Sequence, residues 1–178
     1  MREGIERRLA AILSADVVGF SWLMEADEES TVQSLRACRK IIDGLVADHR
    51  GRLFGSDSVI VEFASPVEAV GCAVEIQRDM EARNDDLPED RRMRFRIGVN
   101  LGDVIVEGDN LLGDGVNVAA RLEGLAEPSG ICISHKVQAE VGNKLNLGYA
   151  FEGEQQVKNI AEPVRVYRVL TEPARRCS

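Results

Sequence analysis

Residues Ala10-Ala11-Ile12-Leu13-Ser14-Ala15 form an apolar run broken by one hydroxyl, and the run stops abruptly on Asp16. Val17-Val18-Gly19-Phe20-Ser21 follow: two β-branched residues, a glycine, an aromatic and a hydroxyl. The run reads as a buried strand from about Leu9 to Asp16, and a chain that buries a strand on both faces builds a sheet around it. Asp16 then stands at the strand's end, where a sheet presents functional groups to solvent. Gly19 lets the backbone turn closely past whatever lies there. On its own, an aspartate in this place is more often a turn or helix-cap residue than a metal ligand.

The rest of the chain supplies the sheet's other parts. Residues 1–8 are charged and read as a frayed N-terminal arm. Asp27-Glu28-Glu29 open a long helix, with acids where the helix dipole favours them, and Gly51 is a natural stop. Val32, Leu35, Ile42, Leu45 and Val46 give that helix an apolar stripe. Two short strands, near 52–54 and 59–63, are joined by Gly55-Ser56-Asp57-Ser58, a tight hairpin with Asp57 at its tip. Ser65-Pro66-Val67-Glu68 combines an N-cap serine, a first-turn proline and a capping-box glutamate, so a second helix starts there and fades by about Arg83.

Met93, Phe95, Ile97, Val99 and Leu101 alternate with Arg94, Arg96, Gly98 and Asn100, which predicts a strand with one buried face. Gly102-Asp103 reads as a Gly-first hairpin turn, with Val104–Val106 returning as the partner strand. A glycine-rich loop spans 108–115, a helix 115–125, and a short buried strand 131–133. Ser134 caps a short helix to about Val141, and late strands lie near 149–151 and 164–170. The order is βαββαββαβαββ, an α+β sheet with helices packed mainly on one face.

Bulk properties narrow the function. A chain of 178 residues, 44% hydrophobic and 29% charged, suits one domain with a sizeable core. The net charge of -8 argues against general binding to nucleic acid or anionic membranes. Neither a signal-peptide core nor an apolar run of membrane-spanning length occurs, so the expected location is the cytoplasm or the cytoplasmic part of something larger, without direct membrane insertion. Cys38, Cys72, Cys132 and Cys177 form no CxxC pair, and the first three fall on apolar faces, as reduced structural thiols would. His49 and His135 are far apart, which disfavours a histidine-rich zinc site.

Two familiar motifs are absent. Gly108 and Gly113 have P-loop spacing, but Asp114 stands where a P-loop needs lysine. There is no G-x-S-x-G nucleophile elbow. More informative are Asn117 and Arg121, four apart on the predicted helix and about 40° from each other around its axis. Val118, Leu122 and Leu125 form the buried stripe beside them. Such a pair is either a solvated helix face or an amide and a guanidinium that orient a reacting oxygen and meet charge on a phosphoryl group.

Taken together, Ser14-Ala-Asp-Val-Val-Gly-Phe-Ser21, the hairpin Asp57, Arg96-Ile-Gly-Val-Asn-Leu-Gly-Asp103 and Gly113-Asp-Gly-Val-Asn-Val-Ala-Ala-Arg-Leu-Glu123 resemble the catalytic domain of class III adenylate/guanylate cyclases. Val157-Lys158-Asn159-Ile160-Ala161-Glu162-Pro163-Val164 is similar to that family as well. The resemblance covers about residues 9–170, between the arm at 1–8 and a tail at 171–178. It implies a ferredoxin-like core sheet, the nucleotide cyclase fold, and a homodimer with active sites at its interface.

In that likeness Asp16 and Asp57 match the carboxylates for two Mg²⁺ or Mn²⁺ ions, and the Val17 carbonyl matches a further metal contact. Gly19 and Phe20 match nucleotide-binding positions, Asn117 and Arg121 the transition-state pair, and Lys158 a phosphate-binding lysine. Asn110 stands where the family reads adenine with aspartate, seven positions before Asn117, with Asp109 adjacent. The hairpin around Asp57 is about two residues shorter than the family pattern and lacks its adenine-reading lysine; no lysine occurs between Lys40 and Lys136. The expected activity is cyclisation of a nucleoside triphosphate, ATP first. The alternatives are a guanylate-specific cyclase, or a cyclase-fold module that binds a nucleotide or a regulatory partner without turnover.

Overall fold

The computed structural model describes residues 5–55 and 58–170. Asp57, Cys177 and the tail lie outside the described residues. Eight strands form one sheet: β1 (Ile5–Val17), β2 (Arg52–Phe54), β3 (Val59–Phe63), β4 (Phe95–Glu107), β5 (Asn110–Leu112), β6 (Ile131–Ser134), β7 (Gly148–Gln155) and β8 (Val164–Leu170). Their order is β2-β3-β1-β4-β6-β8-β7, with β5 paired to the end of β4. Among the described residues five α-helices accompany them: α1 (Phe20–Ala26), α2 (Glu28–Asp48), α3 (Pro66–Asp85), α4 (Asp114–Leu125) and α5 (His135–Val141). This is an α+β architecture, as expected from the sequence.

β1 and β4 are the spine. They pair antiparallel over their whole lengths, Ile5 against Glu107 at one end and Val17 against Phe95 at the other. Alternation sends Ala11, Leu13 and Ala15 to one face, where they meet Ile97, Val99 and the buried residues of α2, α3 and α5. Ala10 and Ile12 point to the other face, where α4 packs through Val116 and Ala119. Val118, Leu122 and Ala126, on the opposite flank of α4, pack with Cys132, Val157 and Val166. The helices thus lie mainly on one face, and α4 alone of the helices longer than one or two turns occupies the other.

Several local expectations hold for stated reasons. Asp27 caps α2 by accepting from the Ser30 N–H at 3.1 Å, and Ser65 caps α3 by accepting from the Val67 and Glu68 N–H groups. Cys38, Cys72 and Cys132 are buried free thiols. Burial pushes the Cys72 thiol up to about 12 and the Cys132 thiol to about 11, so neither is a ready nucleophile at neutral pH.

Four expectations are corrected. The arm at residues 1–8 is not frayed throughout: from Ile5 it belongs to β1, and Arg8 forms a two-pronged ion pair with the nearly buried Glu62 of β3. Charge on a strand read as fraying, but the partner carboxylate lies more than fifty residues away.

Gly102-Asp103 is not a turn. β4 runs straight through it, and the Gly-first turn is Gly108-Asp109, where Gly108 has φ of 61°. The glycine loop therefore contains a strand, β5.

The segment after Gly19 holds an unforeseen helix, α1, which buries no residue fully. Its support is tertiary: the Thr31 hydroxyl donates to the Leu23 carbonyl at 2.9 Å, and Leu23 packs against the main core. Ser134 precedes α5 but makes no side-chain cap; its Oγ has no partner.

Candidate active site

The end of β1 delivers the first group of candidate residues. Asp16 is exposed, and its Oδ1 accepts only the Val17 N–H, at 2.9 Å. Val18 still donates to the Arg94 carbonyl at 2.8 Å, so the carboxylate is held beside a fixed strand end. Gly19 then adopts φ of 65°, a left-handed conformation that turns the chain directly into α1, whose first residue is Phe20. Val17 is half-buried; Gly19 and Phe20 are exposed.

The chemistry of Asp16, an exposed carboxylate at a strand end, fits a hard divalent cation. Mg²⁺ is usually held by one or two carboxylates plus substrate phosphates rather than by an all-protein cage. Asp16 offers open oxygens, and among the described residues no cluster of three His, Cys, Asp or Glu side chains forms such a cage. The second carboxylate, Asp57, lies outside the described residues.

α4 carries the second group. It sits on β4 almost backbone to backbone. A Cβ on Gly98 would stand 2.3 Å from the Glu123 nitrogen and 2.4 Å from the Ala119 carbonyl oxygen, so only glycine admits the helix at this distance. At the other end of α4 the buried Asn100 amide donates to the Gly115 carbonyl at 3.1 Å. Asn100 is a positioning residue that the sequence reading passed over. Its signal was a polar side chain within the alternating strand.

Seated this way, α4 exposes Asn117 and Arg121 on one flank. Beside them runs the loop before β8. Val157 is buried and anchors it, the Ile160 N–H donates to the Val157 carbonyl at 3.0 Å, and Asn159 supplies the left-handed φ of 68° that this turn needs. Lys158 is thereby held at the tip, exposed. Asn117, Arg121 and Lys158 line one open cleft of about 460 Å³, together with Gln156, Val157 and Asn159.

The structure does not bring the two groups together. Glu123 senses the Asp16 carboxylate, and it stands about 200° around the α4 axis from Arg121. Asp16 is therefore on the flank of α4 that faces β1, and Arg121 on the flank that faces β8. Burial first, then Asp16, push the Glu123 carboxyl above the usual carboxylate range; Arg96 and a hydrogen bond with Ser14 pull it back. Asn110 is farther still. It opens β5 opposite Glu107, whereas Asp16 pairs with Arg96, so eleven strand residues, or about 35 Å, separate them. A larger depression, about 910 Å³, lies between the start of α4 and the start of α5 and touches none of the candidate residues.

Comparison with known proteins shows the family and the fold. The family model for the adenylate and guanylate cyclase catalytic domain matches residues 6–170. A Rhizobium meliloti (strain 1021) protein named "Putative adenylate cyclase 3" is 50% identical over 169 residues, which is 93% of this chain and 29% of that protein. The chain thus spans under a third of that relative's length. The crystal structure of an adenylate/guanylate cyclase/hydrolase from Silicibacter pomeroyi superposes with a TM-score of 0.87 at 38% identity, covering 93% of this chain and 98% of that one. The guanylyl cyclase Cya2 shares the fold, with a TM-score of 0.79 at 24% identity over 97% of this chain and 98% of the other.

Proposed function

The chain belongs to the adenylate and guanylate cyclase catalytic-domain family, and from that premise we propose that it converts a nucleoside triphosphate, ATP first, to the 3′,5′-cyclic monophosphate and pyrophosphate. The observation that carries the reading is the cleft in which Asn117, Arg121 and Lys158 converge. An amide, a guanidinium and an ammonium in one open cleft suit a substrate with a ribose, a reacting phosphoryl group and a trailing polyphosphate. They also offset locally the repulsion of a chain with a net charge of -8.

In this reading the ribose 3′-oxygen bonds to the α-phosphorus as the bond to the bridging oxygen of the leaving pyrophosphate breaks. Asn117 holds the ribose so that the hydroxyl lies in line. Arg121 meets the negative charge that builds on the α-phosphoryl oxygens, where preorganised charge is worth most. Lys158 holds the leaving phosphates. Two Mg²⁺ or Mn²⁺ ions, held by Asp16, Asp57 and the Val17 carbonyl, would lower the pKa of the 3′-hydroxyl and neutralise phosphate charge. Gly19 and Phe20 border that end of the substrate.

Because Asp16 stands on the β1 flank of α4 and the Arg121 cleft on the other, the reading includes a two-fold homodimer. Each site draws Asp16 and Asp57 from one subunit and Asn110, Asn117, Arg121 and Lys158 from the other. The test is incubation with ATP or GTP plus Mg²⁺ or Mn²⁺, with chromatographic identification of the product. Cyclic nucleotide with stoichiometric pyrophosphate is expected. Nucleotide binding with no cyclic product under either metal would overturn the enzyme and leave a binding module.

A further inference from the structure

The turn that joins α2 to β2 is built around His49, the C-cap of α2. Its ring lies against α3 and is held from both sides. Nδ1 stands 2.8 Å from a Glu68 carboxylate oxygen, and Nε2 stands 3.0 Å from a Glu75 carboxylate oxygen. Glu68, Gly71 and Glu75 fall on one face of α3, at helical spacing, with the glycine between the two acids. A Cβ on Gly71 would stand 3.3 Å from the His49 Cε1, so glycine lets the ring lie this close to the helix. The residues after His49 leave the chain little freedom. Arg50 has a left-handed φ of 62°, and a Cβ on Gly51 would meet the Phe63 and Val61 side chains at 2.7 Å. β2 begins at the next residue, Arg52, so the contact grips the root of the β2–β3 hairpin.

We propose that His49 is a proton-dependent latch that fixes the root of the β2–β3 hairpin to α3. A neutral imidazole has one N–H, and its other nitrogen carries a lone pair. Between two carboxylates, a neutral ring donates to one and turns its lone pair on the other. The imidazolium donates to both and adds charge attraction. The His49 side chain is 15% exposed, so these contacts are less screened than those of a surface ion pair. The surroundings leave the role to this one proton. Among the described residues, neither Glu68 nor Glu75 has another ion-pair partner. Asp48 and Arg50 flank His49 in the chain and are exposed. Arg52 of β2 is turned to the Phe54 ring and the Gly108 carbonyl. Cys72, between the two acids of α3, stays a neutral thiol, because burial first, then Glu75, Glu68 and Asp48, push it up to about 12. The two-sided contact needs the proton. It is whole on the acid side of histidine's titration, and one of its two bonds is lost as pH rises through that range. The latch concerns the hairpin's root and stands apart from the assignment of Asp57.

The test is amide hydrogen exchange of Arg52, Leu53 and Phe54 in the full chain, at about pH 6 and about pH 8, on either side of histidine's ordinary titration. Protection factors, which divide out the intrinsic pH dependence of exchange, are compared for wild type, His49→Gln, Glu68→Gln and Glu75→Gln. Wild-type protection should fall about fivefold from the lower pH to the higher, as loss of one charge-assisted hydrogen bond predicts. His49→Gln should show no such fall. In Glu68→Gln or Glu75→Gln the new amide donates to the bare nitrogen of a neutral ring while the ring N–H donates to the remaining carboxylate. The fall should then shrink to within about twofold. Nuclear magnetic resonance of the ring N–H protons gives a second readout, with His49→Gln identifying the signals. His49 should show two slowly exchanging ring protons at the lower pH and one at the higher.

Equal protection at both pH values in wild type overturns the latch. So does a fall that persists unchanged in both glutamine variants of α3, because the titrating group then lies elsewhere; the chain's other histidine is His135, stacked on Tyr167 at the start of α5. A single slowly exchanging ring proton on His49 at the lower pH overturns the two-sided contact. If His49→Gln does not fold, Glu68→Gln and Glu75→Gln decide, since each keeps the histidine and one of its charged partners, and one of them folding is enough.

Discussion

The two flanks of α4 differ in the origin of their geometry. The flank toward β8 gathers Asn117, Arg121 and Lys158 through one helix and one anchored turn, with Val157 buried beneath. The flank toward β1 gathers Asp16, Arg96 and Glu123 through two long strands and the same helix. One side is cationic and open; the other holds the carboxylates. Both depend on glycine at position 98, since the helix is placed on the sheet once for the two of them. One rigid backbone contact thus positions both flanks of the helix.

The largest effects should come from the reacting groups. Asp16→Ala and Arg121→Ala are each expected to lower kcat about a thousandfold or more with the fold intact. Wild-type turnover of either under saturating metal would remove that flank from the chemistry. Mixing sharpens the comparison. Asp57→Ala and Arg121→Ala, each inactive alone, should recover about a quarter of wild-type activity after subunit exchange. Half the dimers are then mixed, and in each of those one site carries both lesions and the other none. No recovery, with exchange verified by a tagged subunit, would place both halves on one chain.

Gly98→Ala should disturb the two flanks together. The added methyl meets only backbone atoms, which cannot swing away, so a cost of about 3 kcal/mol and a fall in Tm of about 10 °C are expected. A variant with unchanged melting would mean that α4 stands farther from β4 than drawn here. Base selection should be modest. The hairpin contributes no lysine and Asn110 can donate or accept, so kcat/KM for ATP over GTP should stay below about a thousandfold. A larger ratio would reveal other base-reading groups. The smallest effect belongs to the turn under Lys158. Asn159→Ala removes the amide that lets asparagine tolerate this left-handed position, at about 1 kcal/mol, whereas Asn159→Gly should be neutral. A KM for substrate raised about threefold in the first and unchanged in the second would tie the turn to the cleft.

Local chemistry determined a great deal in this chain before any folding. The apolar run to Asp16, the alternation from Met93 to Leu101, the caps at Asp27 and Ser65, and the amide and guanidinium four apart on a helix are all set by neighbours within a turn or a strand. Such features survive in a linear reading because their partners are close in sequence. Residues 5–8 looked frayed because what holds them, Glu107 to Val104 and Glu62, is far along the chain. Gly102-Asp103 looked like a turn because Gly-Asp has turn chemistry; what keeps it straight is full-length pairing with β1 and the approach of Gly115 from α4. The helix after Gly19 is short and buries no residue fully, and it is held by the Thr31 hydroxyl of α2 on the Leu23 carbonyl.

The same division applies to the site. Residue types and spacing named Asn117, Arg121 and Asp16 as candidates, and the family resemblance added Lys158. That the last of these joins the first two, and that Asp16 lies on the other flank of the helix, follows from how α4 crosses the sheet. A sequence records the angle between two residues on one helix, which is fixed by the backbone's own periodicity. It does not record which strand that helix lands on, because landing is decided by packing among segments that meet only after folding.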